Sequence, residues 1–132
     1  MTKILIAEDD RDIRELIAIS LKYAGYEVIL AADGQQAVDL TIAEKPDLII
    51  LDVRMPRLTG FEVLEQIKDR PEFIDTPVAI LSAKGQESEI QAGLELGATQ
   101  YSLKPFAPDE LIAKIKQIET QTSETTVETV SE

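Results

Sequence analysis

The sequence predicts an open α/β fold, a parallel sheet of five strands with helices on both faces. Three observations predict it. Five short apolar runs alternate strictly with five longer segments of helical spacing, the pattern of strand–helix units joined by right-handed crossovers. The middle runs are apolar at consecutive positions rather than at every second one, as in strands covered on both sides. The chain has 132 residues, 44% of them hydrophobic, which fits one domain with its own core and argues against wholesale disorder.

The elements follow in order. Lys3–Ala7 is the first strand. Ile13, Leu16, Ile17, Ser20, Leu21 and Ala24 share the spacing of one helix face, and Gly25 stands where a C-terminal cap belongs. Glu27–Ala31 is the second strand. Asp33 with Gln36 reads as a capping box opening a helix through Ala37, Val38 and Ile42. Leu48–Leu51 is the third strand, and Thr59 with Glu62 caps the helix of Phe61, Leu64 and Ile67. Val78–Leu81 is the fourth strand. The helix after it, roughly Gln86 to Leu96, ends at Gly97 and is the weakest. It contains Gly93 and offers only Ile90, Leu94 and Leu96 as large apolar residues. Gln100–Leu103 is the fifth strand. Pro108 fits the first turn of a last helix carrying Leu111, Ile112, Ile115 and Ile118. From Glu119 the chain holds four Glu, five Thr, two Ser and no basic residue. The expected domain is therefore 1–118, followed by a disordered acidic tail or linker stub over 119–132.

Composition narrows the chemistry. Thirteen Lys and Arg against 25 Asp and Glu give a net charge of −12, which argues against direct binding to nucleic acid or an anionic membrane. Cys and His are absent, which removes disulfides, zinc sites built on those residues, and Ser–His or Cys–His catalysis. No apolar run approaches the ~20 residues of a spanning helix, and the start of the chain is too short and acidic for a signal peptide. The expectation is a soluble cytoplasmic protein.

The polar residues that follow the strands are the informative ones. Strand one runs into Glu8, Asp9 and Asp10, strand three into Asp52, strand four into Ser82, and strand five into Lys104 and Pro105. In a parallel sheet these positions gather at one edge, where open α/β folds bind ligands. Each has an ordinary alternative: helix N-terminal acids for Asp9, Asp10 and Asp12, a turn for Asp52, a helix cap for Ser82, a solvated Lys104, a rigid loop at Pro105, a core Tyr101. Placement at the ends of four strands of one sheet is what sets them apart. Crowded carboxylates repel unless a cation neutralises them. An all-oxygen donor set favours a hard cation, Mg²⁺ foremost. A hydroxyl and an ammonium beside it suit a phosphoryl group, and a carboxylate is a known acceptor of one.

The motifs Ile4-Leu5-Ile6-Ala7-Glu8-Asp9-Asp10, Asp52-Val53-Arg54-Met55-Pro56 with Gly60, Leu81-Ser82-Ala83, Gly97-Ala98 with Tyr101, and Lys104-Pro105-Phe106 together resemble a CheY-like response-regulator receiver domain of two-component signalling. The resemblance covers Lys3 to about Ile118. It implies the flavodoxin-like (βα)5 fold with strand order 2-1-3-4-5. It implies Asp52 as phosphoacceptor and Asp9 and Asp52 as direct Mg²⁺ ligands, with the Arg54 backbone carbonyl as a third and Glu8 acting through water. Ser82 matches the switch hydroxyl, Lys104 the lysine that pairs with the phosphoryl group, Tyr101 the aromatic that moves with Ser82, and the Lys104–Pro105 bond a cis peptide. Asp10 receives no ligand role. The implied partners are a sensor histidine kinase or phosphotransfer protein and an output protein at the surface of the fourth helix, fifth strand and fifth helix. Arg54 and Lys84, two residues beyond Asp52 and Ser82, flank the path of the hydrolytic water in the family and are expected to tune phosphoryl lifetime.

Three other functions compete. A degenerate receiver would lack motif residues, and all are filled. A haloacid-dehalogenase-type phosphatase would carry its nucleophile after the first strand as Asp-x-Asp, where this chain has Asp9-Asp10-Arg11. A flavodoxin-type FMN carrier would need Ser, Thr and Gly where Glu8, Asp9, Asp10 and Asp12 stand.

Overall fold

The computed structural model describes residues 2–83, 87–104 and 107–131, with the side chains of 83, 103–104 and 121–131 excepted. Strands β1 (Lys3–Ala7), β2 (Glu27–Ala31), β3 (Leu48–Asp52), β4 (Val78–Ala83) and β5 (Gln100–Lys104) alternate with helices α1 (Arg11–Tyr23), α2 (Gly34–Glu44), α3 (Gly60–Lys68), α4 (Glu87–Glu95) and α5 (Pro108–Ser131). All pairings are parallel and the order is β2-β1-β3-β4-β5, as expected.

Successive strand residues point to opposite faces, and both faces are covered. Leu5, Ala7, Ile49 and Leu51 pack with Val38, Val63 and Leu64 of α2 and α3. Ile4, Ile6, Leu48 and Ile50 pack with Ile17, Leu21, Leu111 and Ile115 of α1 and α5. This is why β3 is apolar without alternation and buried along its whole length.

The caps read from sequence are present. Thr59 and Glu62 form a reciprocal capping box. Asp33 caps α2 by accepting from the Gln36 amide, while the Gln36 side chain accepts from Ala32 rather than from Asp33 itself. Gly25 takes φ +98° after α1, a conformation that disfavours residues with a Cβ. On α1 the buried residues are Ile17, Ala18 and Leu21. Leu16, expected inward, is 47% exposed, and Ile19 and Tyr23 are more exposed still, because the burying stripe is rotated away from Leu16. A 3₁₀ turn at Pro71–Phe73, not foreseen, precedes β4. The Lys68 ammonium closes it by donating to the carbonyls of Phe73, Ile74 and Thr76, and burial pulls its pKa down against the opposing pull of Asp75.

α4 buries only Gly93 fully among its residues, and a Cβ there would stand 2.3 Å from the Ile80 side chain. The glycine that weakens the helix is thus what lets it lie close on β4.

α5 is longer than the helix read from sequence. Its backbone stays helical to Ser131, where the sequence reading starts a disordered tail after Ile118. No Pro or Gly interrupts 109–131, so nothing local stops the helix. Ile118 is its last side chain in the core among the described residues. Glu119 is nonetheless tied to the domain, accepting from Thr2 Oγ1 at 2.8 Å and Tyr26 Oη at 2.6 Å. Among the described residues no helix is long and apolar enough to cross a membrane.

Candidate functional site

The carboxyl edge of the sheet gathers the acids. Glu8, Asp9 and Asp52 each present a carboxylate oxygen, and the three oxygens lie within 4.8 Å of one another. Glu8 is 0% and Asp52 4% exposed, while Asp9 faces solvent. Glu8 extends the β1–β2 pairing, its amide donating to the Ala31 carbonyl at 3.1 Å. Arg14, one turn into α1, donates from Nη1 to the Glu8 carbonyl at 2.8 Å and to the Asp9 carbonyl at 3.4 Å. It fixes the backbone that carries both acids and brings a positive charge behind them. Asp10 is the N-cap of α1, accepting from the Asp12 and Ile13 amides at 2.9 and 3.1 Å. A helix cap rather than a ligand role therefore explains it.

Asp52 ends β3 opposite Leu81. The Val53 amide donates to the Leu81 carbonyl, and the Gly60 amide to the Val53 carbonyl at 2.8 Å. Gly60 opens α3 directly on this backbone. A Cβ there would lie 2.4 Å from the Asp52 carbonyl oxygen, so the residue must lack one. The loop between β3 and α3 is also pinned to α2, through Arg57 Nε and Asp33 Oδ2 at 3.4 Å and the Gly34 amide and Pro56 carbonyl at 3.3 Å.

Between these elements lies a cleft of about 270 Å³, lined among others by Glu8, Asp9, Asp52, Arg54 and Glu89. Ser82, 1% exposed on β4, donates its Oγ hydrogen to Glu89 Oε1 at 2.8 Å. Arg54 reaches the other oxygen, with Nε and Nη2 each 3.3 Å from Glu89 Oε2. Sequence reading missed Glu89. Seven residues past Ser82, on the polar side of a helix, it carries no signal until the placement of α4 turns it to the cleft. Arg14 was missed for the same reason.

Tyr101 is half-buried against the core. The Lys114 ammonium donates to its carbonyl and sits 4.7 Å above its ring centre, a cation–π geometry. Lys104 closes β5 beside Ala83, so its backbone is at the same edge. Its side chain, Lys84 and the Lys104–Pro105 bond lie outside the described residues, as does Phe106.

The donor set fits a hard divalent cation. Three carboxylates converge, and the chain contains neither Cys nor His to offer a softer ligand.

A family model of the response regulator receiver domain matches residues 4–116. Response regulator MprA of Mycolicibacterium vanbaalenii is 44% identical over 116 residues, 88% of this chain and 49% of that protein. The phosphate regulon transcriptional regulatory protein PhoB of Pseudomonas aeruginosa is 44% identical over 115 residues, 87% of this chain and 50% of that protein. The chain thus spans about half the length of these curated relatives. Among solved structures, the chemotaxis response regulator CheY4 of Vibrio cholerae superposes with TM-score 0.85 at 35% identity, covering 89% of this chain and 98% of that one. The receiver domain of Francisella response regulator 1452 does so with TM-score 0.83 at 35% identity, covering 92% and 99%.

Proposed function

The chain belongs to the response regulator receiver domain family, and from that membership we propose that it is a phosphoacceptor switch in a two-component phosphorelay, modified on Asp52. The observation that carries this reading is the convergence of the Glu8, Asp9 and Asp52 carboxylates within 4.8 Å, at a sheet edge where buried Ser82 stands on the next strand.

An Oδ lone pair of Asp52 forms the new P–O bond while the bond from phosphorus to the donor nitrogen of a kinase or phosphotransfer phosphohistidine breaks. The leaving imidazole keeps that electron pair and is protonated as it departs. With acetyl phosphate the breaking bond is P–O and acetate leaves. Asp9, Asp52 and the Arg54 carbonyl would hold Mg²⁺ directly, with Glu8 acting through water. The ion would supply charge neutralisation on the transferring group. Ser82 offers its hydroxyl hydrogen to a phosphoryl oxygen, and Lys104 pairs with the phosphoryl charge. Most of the rate comes from positioning and electrostatics.

Modification then biases a two-state equilibrium through Ser82 and Tyr101, expressed at the surface of α4, β5 and α5, where an output protein binds. The acidic body needs no contact with nucleic acid or membrane, and the chain acts in the cytoplasm as a switch rather than as an enzyme with an external substrate. Arg54 and Lys84 shield the aspartyl phosphate from water. Equal dephosphorylation rates in wild type, Arg54→Ala and Lys84→Ala would remove that part of the reading.

The test of the whole is intact mass after incubation with Mg²⁺ and acetyl phosphate. One added phosphoryl group is expected, dependent on Mg²⁺ and absent in Asp52→Asn. Equal labelling of Asp52→Asn would place the acceptor elsewhere.

A further inference from the structure

We propose that Glu89 is a positioning residue of this site, one that withholds Ser82 until a phosphoryl group on Asp52 displaces it. The inference rests on the receiver reading and concerns a residue that reading leaves without a role.

Both oxygens of the Glu89 carboxylate are engaged: Oε1 by the Ser82 hydroxyl at 2.8 Å and Oε2 by the Arg54 guanidinium at 3.3 Å. The two bonds differ in weight. The Arg54 side chain is 72% exposed, so water screens that ion pair and it contributes little. Ser82 is 1% exposed and the Glu89 side chain 15%. An O–H donor on a shielded carboxylate makes a charge-assisted bond, the stronger kind. The Ser82 bond therefore dominates, and it fastens the first turn of α4 to β4.

Glu89 also lines the cleft that contains Asp52. A phosphoryl group there brings more negative charge than a carboxylate and three acceptor oxygens. It seeks the donors Glu89 already holds, and it repels Glu89. When Ser82 turns to the phosphoryl group, the tie from α4 to β4 is lost. Since α4 buries only Gly93 fully, little else among the described residues fixes its first turn. An acid in a first turn also favours the helix dipole, but that effect alone would leave chemistry at Asp52 untouched.

The experiment compares phosphorylation rates by acetyl phosphate and Mg²⁺, read by intact mass, for the full chain and for Glu89→Ala, each with Ser82 and with Ser82→Ala. Hydrogen exchange of the α4 amides is measured without donor. Glu89→Ala is expected to accelerate phosphorylation roughly tenfold, the low end for release of a charge-assisted hydrogen bond. It should also speed α4 exchange, and both effects should vanish in the Ser82→Ala background. Glu89→Asp keeps the charge but not the reach, and is expected to behave like Glu89→Ala. Equal rates in wild type and Glu89→Ala would overturn the proposal while leaving the receiver reading intact. So would an acceleration that persists without Ser82, which would trace to bulk charge. A wild type that accepts no phosphoryl group removes the phosphoacceptor reading and this one together.

Discussion

Replacing Gly60 with Ala sets two effects of opposite sign against each other. Helix propensity favours Ala over Gly by up to ~1 kcal/mol, and Gly60 opens α3 at a negative φ, so no backbone strain opposes the change. Space does. The new Cβ would lie 2.4 Å from the Asp52 carbonyl oxygen, 3.0 Å from Val53 Cα and 3.1 Å from the Asp52 carbonyl carbon. All three are backbone atoms at the end of a strand buried on both faces, and none can rotate aside. Overpacking of a tight interior costs ~1–3 kcal/mol, and rigid neighbours place this site at the upper end. The net expectation is destabilisation by about 2 kcal/mol. With a urea slope of ~1–3 kcal/mol/M for a domain of this size, the midpoint should fall by about 1 M at unchanged slope. Because the displaced atoms belong to Asp52 and Val53, Mg²⁺ affinity should fall as well. Gly25→Ala is the control. Nothing lies within 4 Å of its Cβ, but φ is +98°. It should lose ~1–2 kcal/mol from left-handed backbone strain alone, with Mg²⁺ binding unchanged. A Gly60→Ala midpoint equal to or above wild type would refute the steric account.

Mg²⁺ at a hundred times its dissociation constant should stabilise the chain by about 2.7 kcal/mol. A chelator or Asp9→Asn should abolish the rise in melting temperature, and no rise in wild type would count against the metal site. Arg14→Ala, which frees the Glu8 and Asp9 carbonyls, should weaken Mg²⁺ binding about tenfold, the low end of the 10–100-fold effects of groups that orient metal ligands. Isothermal titration would show whether affinity is unmoved, which would refute the role given to Arg14. Tyr26 has its pKa pushed up to about 12, by burial first and then by its hydrogen bond to the Glu119 carboxylate. A raised pKa in the folded state means the stabilisation is complete below pH 10 and is lost as pH rises toward 12. Phenolate absorbance should show one late-titrating tyrosine that disappears in Tyr26→Phe. That variant should also lose the alkaline fall in stability.

The strands were legible because an apolar run of four or five residues bounded by turn residues has few other readings in an alternating chain. The first two matched end to end, whereas β3, β4 and β5 were read short, and the reason is physical. Hydrophobicity stops at Leu51 and Leu81, but ladder pairing continues to Asp52 and Ala83, since backbone hydrogen bonding does not depend on the side chain. Topology alone brought Glu8, Asp9, Asp10 and Asp52 to one edge, as parallel strands bring their ends together, and the resemblance to receiver domains set Asp10 apart from the group that converges. What stayed hidden depends on how one element sits against another. Leu16 has helical spacing but lies outside the buried stripe. Arg14 and Glu89 look like solvated helix charges until α1 and α4 are docked. The continuation of α5 past Ile118 was hidden because its Thr- and Glu-rich composition reads as solvated chain, although it contains no residue that breaks a helix.

The two hydrogen bonds on Glu119 have a mechanical meaning. Thr2 and Tyr26 immediately precede β1 and β2, so Glu119 is anchored at the amino edge of the sheet, opposite the acids. Beyond it α5 rises about 1.5 Å per residue, which carries the helix about 18 Å to Ser131. A slack tether would average out any tilt of α5 within a few residues. A helix tied to the domain at Glu119 would instead pass such a tilt on to the turns beyond it. The Thr2–Tyr26–Glu119 contact would be the pivot of that transmission.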